Sequence, residues 1–121
     1  MIRSMRPAES LTQVFLYRDP VDFRKSYRGL GAIVELELGR NLFEGSLYVF
    51  INRQQNKIKC LFWETNGFVL YYKSLSEEKF KWPKQDEELI TLTGQEINWL
   101  LDGYDISLMK PHKKLQYESL F

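Results

Sequence analysis

The period of the apolar residues changes along the chain, and each change marks an element. Thr12 to Tyr17 (TQVFLY) reads as a short strand, broken by Arg18-Asp19-Pro20, where Asp19 can cap and Pro20 can open a helix. From Phe23, the residues Tyr27, Leu30, Val34 and Leu38 recur at helical spacing. At about 100° per residue they form a stripe of roughly 80°. Arg24, Lys25 and Arg28 fall together on a neighbouring arc, so one helix is expected to carry a core face and a basic face. Gly29 and Gly31 cost such a helix about 1 kcal/mol each relative to Ala unless they allow close packing. Gly39-Arg40-Asn41 is its expected end.

The middle third alternates as a β-meander. Leu47–Ile51, Ile58–Trp63 and Phe68–Lys73 are rich in aromatic and β-branched residues, and Asn66-Gly67 is a strong hairpin signal. A two-residue turn there sets Trp63 opposite Leu70 and Leu61 opposite Tyr72, while Ile51 faces Ile58 across the preceding loop. Alternation then sorts the strands into two faces. Leu47, Val49, Ile51, Ile58, Cys60, Phe62, Val69 and Tyr71 form a mostly aliphatic face, for which the Phe23/Tyr27/Leu30/Val34 stripe is the expected cover. Tyr48, Phe50, Lys59, Leu61, Trp63, Leu70 and Tyr72 form an aromatic face with a lysine set into it.

Beyond the meander, Phe80-Lys81-Trp82-Pro83 is compatible with a short edge strand, because Pro83 cannot donate in a sheet centre. Leu89–Leu92 is another strand candidate. Thr93 and Glu96 match a capping box ahead of Ile97, Leu100 and Leu101, with Gly103 as the stop. The expected fold is α+β: a mainly antiparallel sheet with one longer and one shorter helix. Residues 1–106 are read as one domain and 107–121, with Lys110, Lys113 and Lys114 around Pro111, as a mobile basic tail.

Composition supports a single packed domain. The 121 residues are 44% apolar, enough for a chain of this length to bury roughly two-thirds of its unfolded surface. No apolar run approaches the roughly 20 residues of a membrane-spanning helix, and no signal peptide is visible behind Arg3 and Arg6, so a cytoplasmic protein without membrane contact is expected. One cysteine and one histidine leave no internal disulfide and no His- or Cys-rich metal cluster. The formal charge of +1 conceals polarity: residues 52–84 hold seven basic and three acidic side chains, whereas residues 85–107 hold six acidic and no basic ones.

Catalytic chemistry has little to stand on. Cys60 alternates into the aliphatic face, and His112 lies beside two lysines in the tail. Asp19 and Asp22 are explained by capping but are also compatible with a Mg²⁺-holding carboxylate pair. Binding has more material. Arg24, Lys25, Arg28, Arg53, Lys57, Lys59 and Lys73 are candidate phosphate contacts, and Tyr48, Trp63, Tyr72 and Trp82 are candidates for base stacking or partner contact. Plain core is the competing reading for the rings, and a solvated charged face for the Arg24/Lys25/Arg28 arc.

The order of several segments carries a resemblance. Asp22-Phe23-Arg24-Lys25 with Gly29-Leu30, Phe43-Glu44-Gly45-Ser46 leading into Leu47–Phe50 with Asn52-Arg53, Lys57–Trp63, Gly67–Lys73, Phe80–Pro83 and Leu100-Leu101-Asp102-Gly103 together resemble the TnpB-type accessory proteins of the IS-sixty-six family of bacterial insertion sequences. The resemblance covers about residues 12–105. It implies a protein of DNA transposition that works beside a larger DDE-type transposase, without catalytic activity or cofactor of its own. Ser26 and Ser74 stand where the family commonly has Gly and Arg, and Glu78 where a Gly is frequent. No catalytic residue is carried over. The expected function is therefore a non-enzymatic accessory factor that binds element ends, the transposase, or both. The alternatives are a small Mg²⁺-dependent nuclease using Asp19 and Asp22, and a structural protein that oligomerises through its aromatic face.

Overall fold

A computed structural model describes residues 13–109. The strands are β1 (Val14–Tyr17), β2 (Leu47–Ile51), β3 (Lys57–Glu64), β4 (Gly67–Ser74) and β5 (Leu89–Leu92). They form one sheet in the order β4-β3-β2-β1-β5. Two helices, α1 (Tyr27–Ala32) and α2 (Gly94–Leu101), complete the α+β fold expected from the pattern. Most of the proposed tail, residues 110–121, lies outside the described residues, as does the Thr12 start of the first strand.

All strand pairs are antiparallel except β1 with β2, which run parallel. A parallel pair needs a long crossover, and α1 with its flanking turns supplies it. Both strands are buried along their whole length, which is why LYVFI reads as a continuous apolar run and not as an alternation.

The first helix begins later than Asp19-Pro20 suggest. Asp22 spends its groups on a turn instead: its Oδ1 accepts from the Arg24 N–H at 2.9 Å and its C=O from the Lys25 N–H at 3.0 Å. Helical backbone starts at Tyr27, then widens into a π-helical stretch, Ile33–Glu37, in which Leu38 N–H donates to the Ile33 C=O at 3.0 Å. Gly31 allows a close approach: a Cβ there would lie 2.9 Å from Leu42 Cδ1 in the 3₁₀ turn Leu42–Glu44, so that side chain would have to shift.

The hairpin between β3 and β4 also differs from expectation. Glu64 faces Gly67, so the two-residue turn is Thr65-Asn66, with Thr65 at φ 49°. Trp63 thus pairs with Phe68, Leu61 with Leu70 and Lys59 with Tyr72. The shift is two residues, one full side-chain period, so every residue keeps its face. In this register Trp63 and Phe68 meet edge to face at 5.0 Å and Phe43 packs on both. Ile51 does face Ile58.

The main correction concerns which helix covers which face. The aliphatic face, with Val14, Leu16, Leu47, Val49, Ile51, Ile58 and Cys60, is covered by Ile97, Leu100 and Leu101 of α2 together with Phe80 and Ile106. The first helix lies on the opposite, aromatic face, where Leu30, Ile33 and Val34 pack on Phe15, Tyr17, Tyr48, Phe50 and Leu61. Alternation assigns residues to faces but does not say on which side a crossover passes. Residues 80–83 form no strand; Phe80 is instead buried beneath α2.

Candidate nucleic-acid interface

Two loops place the site. The backbone N–H of Val21 donates to the Ile51 C=O at 2.9 Å, which ties the segment ahead of α1 to the end of β2. The β2–β3 loop that follows is organised by Asn52, a buried side chain. Asn52 Oδ1 accepts from the N–H groups of Asn56 and Lys57, both at 3.0 Å, and its Nδ2 donates to Asn56 Oδ1 at 2.7 Å. A buried amide with this many partners holds a loop in one shape. The loop presents Arg53 and Lys57 beside the Asp22–Arg24 turn.

The result is a cleft of about 490 Å³, lined among others by Asp22, Phe23, Arg24, Arg53, Lys57 and Tyr72. Among the described residues, Arg53 and Lys57 have no ion-pair or hydrogen-bond partner for their charged heads. Arg24 is paired: its Nη2 lies 2.6 Å from Asp22 Oδ2, yet its side chain stays 91% exposed. The guanidinium holds the Asp22 carboxyl down at about 2, so Asp22 is an anion committed to Arg24. Tyr72 is 50% exposed on the cleft wall.

Lys59 supports this cleft from below. It is buried, and its Nζ donates to the C=O of Phe23 at 2.9 Å and of Lys25 at 2.8 Å. The ammonium also sits 4.9 Å from the centroid of the Phe23 ring and 5.2 Å from that of Tyr72. Burial lowers its pKa, partly opposed by the charge of Asp22. Lys59 is thus the pin of the Phe23–Lys25 turn and a fixed charge beneath it; its head is not presented to a ligand.

A second concavity, of about 600 Å³, is lined by Tyr27, Arg28, Trp63, Asn66, Gly67 and Phe68. Its rings form a contiguous set. Phe43 lies 4.8 Å from Trp63, Trp63 5.0 Å from Phe68, and Phe68 5.4 Å from Tyr27, over which Arg28 is placed at 5.6 Å. Phe43 is 55% exposed, and Tyr27 is exposed as well. Phe68 and Tyr72 point from the same face of β4, four residues or about 13 Å apart. The two concavities therefore share one side of the sheet, along the segment from Pro20 to Arg28 that leads into α1.

The structure separates the sequence candidates. Arg24, Arg53, Lys57 and Tyr72 converge on the first concavity, and Arg28 and Trp63 on the second. Lys25 is exposed, its stem lying against Gly29. Tyr48 is fully buried, with Arg40 Nε donating to its hydroxyl at 3.0 Å, so it cannot stack on a ligand. Lys73 Nζ donates to the Leu101 C=O at 2.7 Å at the end of α2. Trp82 lies on the α2 side, in a cleft of about 710 Å³ between residues 79–84 and β5, with its indole N–H buried and without a hydrogen-bond partner among the described residues. Sequence reasoning missed Phe43, Phe68 and the exposed side of Tyr27, because three different elements contribute them; Phe43 leads the Phe43-Glu44-Gly45 stretch, where a ring in a turn is the available signal.

Asp19 and Asp22 are each paired with a different arginine: Asp19 accepts from Arg18 at 2.9 Å and Asp22 from Arg24 at 2.6 Å. Among the described residues no three His, Cys, Asp or Glu side chains gather as a metal site. Cys60 is buried and burial pushes its thiol pKa up, the opposite of a nucleophile. No helix of the described residues is long and apolar enough to cross a membrane.

Comparison with known proteins agrees with this chain's segment pattern. Two proteins of Sinorhizobium fredii (strain NBRC 101917 / NGR234) are similar to it: the uncharacterized protein y4jC, 28% identical over 98 residues, and the uncharacterized protein y4hO, 27% identical over 101 residues. The alignments cover 81% and 84% of this chain and 84% and 88% of the relatives. No solved structure matches. The family described as IS66 Orf2 like protein matches residues 12–111, and the chain belongs to that family.

Proposed function

We propose that the protein is a non-enzymatic accessory factor of insertion-sequence transposition, and that it acts by binding the element's DNA on the α1 side of the sheet. The observation that carries this reading is the convergence of Arg24, Arg53 and Lys57 around the half-exposed ring of Tyr72, two of the three cations having no protein partner among the described residues. Cations left without counter-charges are suited to phosphates, and their neutralisation of a polyanion releases counterions. Family membership supports the transposition context.

The triple variant Arg24→Ala/Arg53→Ala/Lys57→Ala tests it. All three side chains lie at the surface or partly so, and the fold is expected to persist. DNA affinity should fall, and the slope of log affinity against log salt should shrink by about 0.7 to 0.9 for each phosphate that is no longer neutralised. Unchanged affinity and slope in the folded variant would reject the phosphate role.

A second contact, with the transposase of the same element, is favoured by the separate cleft on the α2 side. There Trp82, whose indole N–H has no hydrogen-bond partner among the described residues, lines a cleft beside β5, a sheet edge. Co-purification of the two proteins, abolished by Trp82→Ala, tests this contact; no complex at micromolar concentration counts against it.

A further inference from the structure

We propose that the nucleic acid this surface accepts is single-stranded DNA, its phosphates on the Arg24/Arg53/Lys57 cleft and its unpaired bases stacked on Tyr72 and on the Tyr27/Phe43/Trp63/Phe68 ring set. This rests on the DNA-binding reading above and narrows it to one form of DNA.

Three observations point away from a duplex. The helices offer little to a major groove: α2 carries no Lys or Arg, and α1 carries only Arg28. The cations instead come from a turn, a loop and the start of a strand, which line a cleft that also holds the rings of Phe23 and Tyr72. Finally, the rings are open to solvent where core rings would not be, with Phe43 and Tyr72 each about half exposed. Duplex bases are hidden in their stack and give such rings nothing to cover them. Unpaired bases do, and any base serves because each has a π-face. Charge complementarity selects this occupant over an apolar protein segment. Arg28 stands over Tyr27 at one concavity, Lys59 lies beneath Tyr72 at the other, and the acid lining the cleft, Asp22, is already paired with Arg24.

The test is fluorescence anisotropy of the full chain with a labelled mixed-sequence single strand and with the duplex of the same length, at two salt concentrations. The single strand should bind at least tenfold more tightly. Tyr72→Ala and Phe43→Ala should each weaken single-strand binding by about five- to a hundred-fold, the range of one base–aromatic stack, and leave the salt slope unchanged. Tyr72→Phe, which keeps the ring, should bind as the parent does. In a Trp82→Phe/Trp99→Phe background, emission from Trp63 should be quenched by the single strand. Equal or tighter duplex binding would overturn the single-strand inference while leaving the DNA reading intact. Parent-like single-strand affinity in both ring variants would overturn the stacking role. Binding to neither form would overturn the inference together with the reading it rests on.

Discussion

The two sides of one sheet are built to opposite specifications. On the α2 side, aliphatic residues pack with Ile97, Leu100 and Leu101 into a buried layer that also encloses Cys60. On the α1 side, large rings pack under a short helix, and two of them reach solvent: Tyr72, in the cleft with Arg24, Arg53 and Lys57, and Phe43, against Trp63 and Phe68. Aliphatic packing maximises buried area per unit of volume and leaves no room for a ligand inside the layer itself. Rings give a rigid platform that loses little conformational entropy when something binds on it. The difference teaches that the aliphatic layer serves stability, whereas the aromatic face leaves rings and cations at the surface.

The largest expected effect breaks the comparison in stability. Leu100→Ala removes a fully buried side chain from the aliphatic layer and should cost about 2–5 kcal/mol, whereas Phe43→Ala, at a half-exposed ring, should cost under about 1 kcal/mol. Urea unfolding followed by circular dichroism measures both; similar losses would erase the distinction between the faces.

Next in size is the pin. Lys59→Met keeps the stem but deletes two charge-assisted hydrogen bonds to the Phe23 and Lys25 carbonyls, a loss of about 1.5–3 kcal/mol. It should also loosen the turn that holds Arg24, so DNA affinity should fall although Lys59 lines neither concavity. A variant with parent stability would show that the pin is not needed.

The smallest effect lies at high pH. Tyr17 is buried on the aromatic face and its hydroxyl donates to Glu37 Oε2 at 3.1 Å. Burial first, and then this bond and the charge of Glu37, push its pKa from 10.0 to about 12. A tyrosine whose pKa is raised by folding adds stability that is fully present below pH 10 and is lost as the pH rises toward 12. Tyr17→Phe should flatten that alkaline decline in a pH series of unfolding midpoints; an unchanged decline would assign it to other groups.

Much of this was legible in the chain. The strands at 47–51, 57–64 and 67–74, the Thr93/Glu96 capping box and the sorting of residues into an aliphatic and an aromatic face all follow from local period and cap chemistry, which act over a few residues. The parallel β1–β2 pairing and the side on which α1 crosses were not legible, because both depend on how distant segments meet. Asp22 illustrates the same limit at the site: its position two residues after Pro20 suggests a helix start, while the structure uses it to close a turn with Arg24. Lys59 looked like a phosphate contact because alternation shows only the face it lies on; which carbonyls wait there is tertiary information. Arg24, Arg53, Lys57 and Tyr72 were each visible as basic or aromatic positions, and only the fold brings them to one cleft.

Amide hydrogen exchange of the full chain, with and without a single-stranded oligonucleotide, tests the division between the faces most directly. The account predicts added protection at residues 20–28 and 52–57, on the cleft walls, with exchange at α2 and at residues 79–92 unchanged. Protection confined to α2 or residues 79–92, with the Arg24 turn and the Arg53 loop unaffected, would contradict it.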